Sequence, residues 1–319
     1  MPTVQFASTM RARMVFTNRQ RLALDYDRFS GGIFNPSLAI HAGAMWGLAR
    51  CEPHDQAERN ADQTLNFLPP QAVLFRLDES FTVTEAHYDL QFENFPELPW
   101  RAEDYRLFVF QNRLYCTHTL WVQGYNLGMG LSLVNLRKHT ITLINPIQLH
   151  GVSVQPVEKN WVMIPDKHSL HCLYSFFPEY ILTKISDLET AQFEFQDRIV
   201  PGFLSNDLEN RLVSNSTVPQ RKGDYWWMLV HQKNTEHVYH DYLVQLDAAS
   251  LWPVQISSHP VISGGDCEGF WRGFLTVYSL LINDDQVIVS FGEGDRYAGV
   301  ATASITEFTA TPMQPLRSA

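Results

Sequence analysis

The sequence predicts an all-β fold, a five-bladed β-propeller occupying residues 1–319 as one domain. Three observations predict it. Short apolar strands closed by turn residues dominate the chain, helical periodicity is nearly absent, and a turn-then-strand pattern recurs five times. Chains longer than the usual domain size are common among all-β architectures, so a second domain is not required.

The strand-like segments are rich in aromatic and β-branched residues. In order they are 44–50, 106–109, 113–119, 139–143, 170–176, 225–231, 237–246, 274–282 and 287–291. Two stretches have helical character, 55–65 and 204–212, and both read as insertions between sheets, the second within a longer insertion near 188–220. The recurring turn carries Asn, Asp, Glu or Lys ahead of an apolar strand. It occurs at Phe34-Asn35-Pro36, Glu103-Asp104-Tyr105-Arg106, Glu158-Lys159-Asn160-Trp161, Lys222-Gly223-Asp224 and Asp266-Cys267-Glu268. Its spacing corresponds to blades of roughly 60 residues, longer than common propeller repeats. Radial repetition would set these turns around one central channel.

Composition narrows the function classes. Hydrophobic residues make up 45% of the chain and aromatics 13%, enough for a large core with rings left over to line a site. A formal charge of −10 argues against unaided binding to nucleic acid or to an anionic membrane. The sequence has no apolar run long enough for a membrane span, and residues 1–13 lack the apolar stretch of a signal peptide, so a cytoplasmic location is expected. Cys51, Cys116, Cys172 and Cys267 lie far apart without a CxxC pair and read as buried free thiols. No histidine pair has helical ligand spacing, so neither a metal nor a cofactor is expected.

Polar residues at the inner ends of propeller blades converge on the axis, so the five turns are best read together. Asp104 and Arg106 flank Tyr105 and would point the same way along a strand. Glu158, Lys159, Asn160 and Trp161 combine an anion, a cation, an amide and a large ring, groups suited to hydrogen-bonding a sugar and stacking on its apolar face. A solvated turn followed by a core Trp fits the same residues. Gly292-Glu293-Gly294-Asp295 follows an apolar strand but lacks the Lys and strand-to-helix context of a phosphate loop. His231 ends an apolar strand, and Tyr239-His240-Asp241-Tyr242 follows it.

Taken in order, these segments resemble the inverting β-mannoside phosphorylases of glycoside hydrolase family 130 and related β-mannosyltransferases built on a five-bladed propeller. Phe34-Asn35-Pro36-Ser37 and the strand ending Arg50-Cys51-Glu52 look like the first-blade Asn-Pro turn and Arg-x-Glu. Glu103-Asp104-Tyr105-Arg106 looks like the Glu-Asp-Pro-Arg signature that carries the family's general acid. Lys159-Asn160, His231 and Gly292 through Asp295 match the third-blade lysine turn, the strand ending in His and the closing Gly-x-x-Asp. The resemblance implies that Asp104 is catalytic and that Asn35, Arg50, Asp104, Lys159 and Asp295 surround a sugar, and the residues of the same turns add Arg106, Asn160 and Trp161 to the expected sugar contacts. It also implies that Lys159, His231 and Tyr239 or Tyr242 face a phosphate.

Two departures stand out. Tyr105 replaces the signature proline, and the paired arginines that the family uses for phosphate between the second and third blades have no match, since Arg137 and Lys138 read as a hairpin turn. The expected chemistry is inverting transfer between a mannose-like donor and a sugar or phosphate, with sugar 1-phosphates and nucleotide sugars as further candidate donors. A hydrolase of the same fold would instead recruit Glu158, Glu268 or Glu293 as base. A glycan-binding propeller without turnover is the third expectation.

Overall fold

The computed structural model describes residues 15–16, 18–62, 64–65, 71–199, 213–264 and 267–316. Its strands form five sheets, of four, five, five, seven and four strands in chain order when the sheet begun by Ile33–His41 is taken first. That first sheet runs Ile33–His41, Ala44–Cys51, Gln71–Leu77 and Val83–His87, each antiparallel to the next. The second runs Trp100–Phe110, Arg113–Val122, Tyr125–Asn135 and Thr140–Pro146, with Gln91–Glu93 parallel on its far edge. The third repeats this plan with Val162–Pro165, Leu170–Ser175, Tyr180–Asp187 and Gln192–Ile199, and again a parallel edge strand, Gln148–His150.

In the fourth sheet both Val213–Asn215 and Gln220–Lys222 pair with Tyr225–Lys233, followed by Tyr239–Asp247, Pro253–Ser257 and the late strand Met313–Pro315. The fifth contains Leu275–Ile282, Gln286–Glu293 and Tyr297–Ser304. Its outer strand comes from the other end of the chain, because Asn18–Arg21 pairs with Tyr297–Ser304. Arg21 fastens this closure by ion pairs to Glu268 at 2.7 Å and Glu293 at 2.8 Å.

The buried apolar residues show how the sheets neighbour one another. One cluster joins sheets one and two through Leu48, Leu74, Leu107 and Leu114. Others join two and three through Leu131 and Met163, three and four through Leu173 and Met228, and four and five through Leu229 and Val289. The last joins five back to one through Val300 and Val73. The arrangement is a propeller-like ring with apolar layers between sheets.

This sandwiching explains the unbroken apolar run 226–230. Trp226, Met228 and Val230 face the third sheet, whereas Trp227 and Leu229 face the fifth. A strand covered on both faces has no need of a polar side.

The insertion at 55–65 contains the α-helix Gln56–Ala61, started by a capping box in which Glu58 N–H donates to Asp55 Oδ1 at 2.8 Å. Within 188–220, Gln192–Ile199, Val213–Asn215 and the first residue of Gln220–Lys222 are strand, and the helical reading of 204–212 lies outside the described residues, as does Asp266 of the fifth turn. All four cysteines are buried free thiols. No helix among the described residues is long and apolar enough to cross a membrane.

Candidate active site

Three of the strands that begin sheets break register near their starts. The shifts fall between Phe34 and Ser37, between Glu103 and Arg106, and between Val277 and Ser279. A bulge adds one residue against the partner strand and re-aims its side chain. Asn35 and Asp104 sit in two of these bulges with left-handed backbone, φ 55° and 57°. Asn160 and Asp295 are also left-handed, φ 65° and 52°. Asn and Asp tolerate this conformation better than other residues with a Cβ, so the short polar residues at these four positions suit the backbone as well as the chemistry.

The bulges bring distant residues together. Asn35 Nδ2 donates to Asp104 Oδ1 at 2.8 Å, and the Tyr278 hydroxyl donates to the same oxygen at 3.0 Å. Arg106, only 1% exposed, lies beneath them. Its Nε donates to Ser216 O at 3.0 Å, Nη1 to Asp104 O at 3.1 Å and Nη2 to Asn160 Oδ1 at 2.9 Å. Its guanidinium carbon stands 5.1 Å from the Tyr278 ring centroid. Arg106 therefore braces four sheets from below the site.

Electrostatics separates the carboxylates. Burial pushes Asp104 upward, but Arg50, Arg106 and Lys159 together with the Asn35 hydrogen bond outweigh it and hold the group below the ordinary Asp range. Asp295 goes the other way, raised to about 6 by burial and by the negative charges of Asp104, Glu103 and Glu52 against the pull of Arg50. Two carboxylates within reach of the same arginine are thus shifted in opposite directions.

Beside Asp104, His231 is lowered to about 3 by burial and by Arg106 and Lys159, so its imidazole is neutral. Its Nδ1 lies 2.9 Å from Ser216 Oγ, which donates to Asp241 Oδ1 at 2.7 Å. Tyr239 packs on this imidazole with ring centroids 5.5 Å apart, and burial pushes its hydroxyl up to about 12. Lys159 is exposed, and its charge acts on both Asp104 and His231.

The other residues singled out from sequence lie elsewhere. Trp161 is 2% exposed in the layer between the second and third sheets, its Nε1 donating to Glu158 Oε2 at 3.0 Å, so its ring is core and presents no face to a sugar. Glu158 is buried and also accepts from Tyr174 OH at 2.6 Å and from Gln155 N. Glu268 and Glu293 are engaged by Arg21, and Glu293 Oε1 further accepts from Glu268 N at 2.8 Å. Tyr242 packs against the layer between the third and fourth sheets.

Nothing in the residue pattern marks Tyr278, Ser216 or Asp241 as part of the site. Tyr278 sits in an apolar strand where nothing marks its hydroxyl, and only the bulge beside it turns the side chain toward Asp104. The one group of potential metal ligands among the described residues is Glu85, His87 and His139, on the edge strand of the first sheet and a hairpin of the second.

Asp241 predicts a pH effect on stability. Full burial raises it to about 8. The folded state then holds a proton that the unfolded state has lost, so stability falls as pH rises toward the folded value. Between pH 6.5, the midpoint of an unfolded His, and pH 8, this one proton corresponds to about 2 kcal/mol. Asp241→Asn should flatten the decline, as read by urea unfolding across that window; an unchanged slope would mean that Asp241 stays ionised.

Gly292 predicts an effect on the site. A Cβ there would lie 2.0 Å from Asn35 Oδ1 and 2.8 Å from Asn35 N. Gly292→Ala should displace Asn35 from Asp104 and destabilise the fold by about 1.5–3 kcal/mol, the net contribution of a hydrogen bond to a charged group. An unchanged midpoint of urea unfolding would show that Asn35 accommodates the methyl without leaving Asp104.

Two cavities adjoin the cluster. One, of about 360 Å³, is lined by Arg50, Arg59, Trp100, Arg101, Glu103 and Trp121. The other, of about 570 Å³, includes Lys159, Asn160, Tyr174, Phe177, Arg198 and Asn215. Asp104 feels Arg50 from the first and Lys159 from the second.

No family model matches the chain, and no curated protein matches it. Solved structures do. The β-1,2-mannobiose phosphorylase of Listeria innocua, solved with β-1,2-mannobiose, superposes with a TM-score of 0.64 at 13% identity, covering 93% of this chain and 94% of that one. A glycosyl hydrolase from Bacteroides ovatus gives a TM-score of 0.66 at 13% identity, covering 97% and 95%. MPT-4, a mannose phosphorylase from Leishmania mexicana solved with a phosphate ion, gives 0.58 at 13% identity, covering 94% and 92%. The chain thus has, over nearly its whole length, the propeller-like fold found in mannoside phosphorylases of glycoside hydrolase family 130. The likeness expected from the sequence motifs holds in three dimensions.

Proposed function

We propose that this protein is a carbohydrate-active enzyme, a propeller of five blades with one sheet per blade, that transfers a β-mannoside-like glycosyl group with inversion, to or from phosphate. The observation that carries this reading is the setting of Asp104. Its carboxylate is fixed by Asn35 and Tyr278 at one oxygen and surrounded by the charges of Arg50, Arg106 and Lys159. The acids that a water-activating mechanism would recruit, Glu158, Glu268 and Glu293, are engaged by Trp161, Tyr174 and Arg21. That supports a nucleophile which needs no base, as phosphate does.

In this reading Lys159, His231 and Tyr239 border the phosphate. A phosphate dianion beside Lys159 offsets the cation that lowers Asp104 and adds a like charge, and both effects raise Asp104 toward its protonated form. Asp104 then delivers its proton to the departing oxygen, directly or through a sugar hydroxyl. The phosphate oxygen bonds to the anomeric carbon as the glycosidic bond breaks, and the proton carried by hydrogen phosphate restores Asp104, so that protons and charge balance.

The test is incubation with β-mannosides plus phosphate, with sugar 1-phosphates and with nucleotide sugars, measuring phosphate, nucleotide and free sugar separately. Phosphate-dependent formation of a sugar 1-phosphate is expected. Free mannose released at the same rate without phosphate would make the enzyme a hydrolase, and binding without any turnover would make it a glycan-binding propeller.

A further inference from the structure

The smaller cavity beside the Asp104 cluster holds charges that the transfer of a neutral sugar does not use. Arg50, Arg59 and Arg101 converge there on two carboxylates. Glu52, 6% exposed, accepts from Arg50 at 2.6 Å, from Arg59 at 3.3 Å and from Arg101. Glu103 pairs with Arg101 at 2.5 Å and with Arg50 at 3.4 Å. Three guanidinium groups therefore line the cavity against one lining carboxylate, Glu103, with Glu52 buried behind them and Asp104 and Asp295 acting on Arg50 from the site.

Arg59 is the least well supplied of the three. Among the described residues, besides the 3.3 Å contact to Glu52, it reaches only a neutral acceptor, Gln56 Oε1 at 3.2 Å, and its buried Nε has no hydrogen-bond partner. Burial lowers its pKa first, and the like charges of Arg101 and Arg50 lower it further against the pull of Glu52 and Asp295. The cavity wall carries a second orphan, the buried Nε1 of Trp121. Trp100, also on the wall, is held flat against Phe95 at 4.0 Å between centroids and edge-on to Phe92 at 5.2 Å, so its ring is a fixed surface. Two indoles and a guanidinium cluster around about 360 Å³ suit one ring-sized ligand with an apolar face and a negative group.

We propose that this cavity is a subsite for a sugar bearing an anionic substituent, a uronate carboxylate or a phosphate ester, as the unit joined to the transferred glycosyl group. The proposal rests on the glycosyl-transfer reading, because Arg50 and Glu103 connect the cavity to Asp104. The anion completes the coordination of Arg59, and the ring lies against the indoles of Trp100 and Trp121. A neutral sugar leaves Arg59 with only its shared carboxylate, so discrimination arises at this end of the substrate.

The test measures binding, not turnover, so that it succeeds or fails independently of the reaction. Mannuronate, mannose 6-phosphate, mannose and inorganic phosphate are titrated into the full-length protein by calorimetry and by quenching of tryptophan fluorescence. At least one of the two anionic sugars is expected to bind about tenfold or more tightly than mannose, the scale of one hydrogen bond to a charged group, and which of them does so identifies the substituent. The advantage should shrink with added salt and disappear in Arg59→Gln, while Arg59→Lys retains part of it. Because an Arg59 variant can disturb the short helix that carries it, Trp121→Phe in an otherwise intact cluster provides a second check and should weaken the fluorescence response. Equal affinity for charged and neutral sugars, or a preference that survives Arg59→Gln, would overturn the proposal. So would inorganic phosphate binding as tightly as mannose 6-phosphate, with the same dependence on Arg59.

Discussion

Replacing Asp104 with Asn should lower turnover by about 10²- to 10⁴-fold, the usual contribution of a general acid, while sugar affinity and the unfolding midpoint stay close to wild type. The substitution keeps shape and one acceptor oxygen, so Asn35 Nδ2 and the Tyr278 hydroxyl retain their partner. What disappears is the transferable proton and the negative charge that faces Arg50, Arg106 and Lys159. The measurement is kcat and KM on the substrate that the panel identifies, with thermal unfolding alongside. Activity within a few fold of wild type would remove Asp104 from the chemistry. Joint loss of stability and activity would instead make the Asn35–Asp104–Tyr278 contacts structural.

Arg106→Met should destabilise the fold by about 3–5 kcal/mol, the usual cost of removing one partner from a buried ionic network. Three acceptors on three sheets, Ser216 O, Asp104 O and Asn160 Oδ1, lose their donor together, in a place that water does not reach. Arg106→Lys retains the charge but not the planar fork, and it should recover only part of the loss. Urea unfolding of the purified variants measures both. A change under about 1 kcal/mol for Arg106→Met would mean that the brace is dispensable and that neighbouring groups repair it.

The candidate site was partly legible before folding was considered. Asn35, Asp104, Asn160 and Asp295 stand as short polar residues beside apolar strands, and all four take the left-handed backbone that favours Asn and Asp. Local sequence also marked His231 at the end of a strand. The same reasoning placed Trp161 at a sugar, yet its ring is core and its N–H is taken by Glu158. An anion, an amide and a Trp in four residues serve a packed turn as well as a binding site, and only the direction of the ring distinguishes them. Glu268 and Glu293 were equally ambiguous until the outer strand Asn18–Arg21 brought Arg21 to them, from 247 and 272 positions away. Tyr278 was hidden because a tyrosine in an apolar strand reads as core, and the register shift that turns it toward Asp104 leaves no mark in the residue pattern.

By itself the sequence determined the all-β character of the chain, most of its strands and the left-handed turns, because strand propensity and turn chemistry act between near neighbours. Tertiary structure alone decided which of those turns meet. Asp104 receives one hydrogen bond from 69 positions away and another from 174, and neither exists until the sheets pack in order and the first strand closes onto the last. It also decided the charge state of the site. The opposite shifts of Asp104 and Asp295 come from burial and from arginines and carboxylates on other sheets, and the fields of these groups act only once the chain has brought them within a few ångströms of one another.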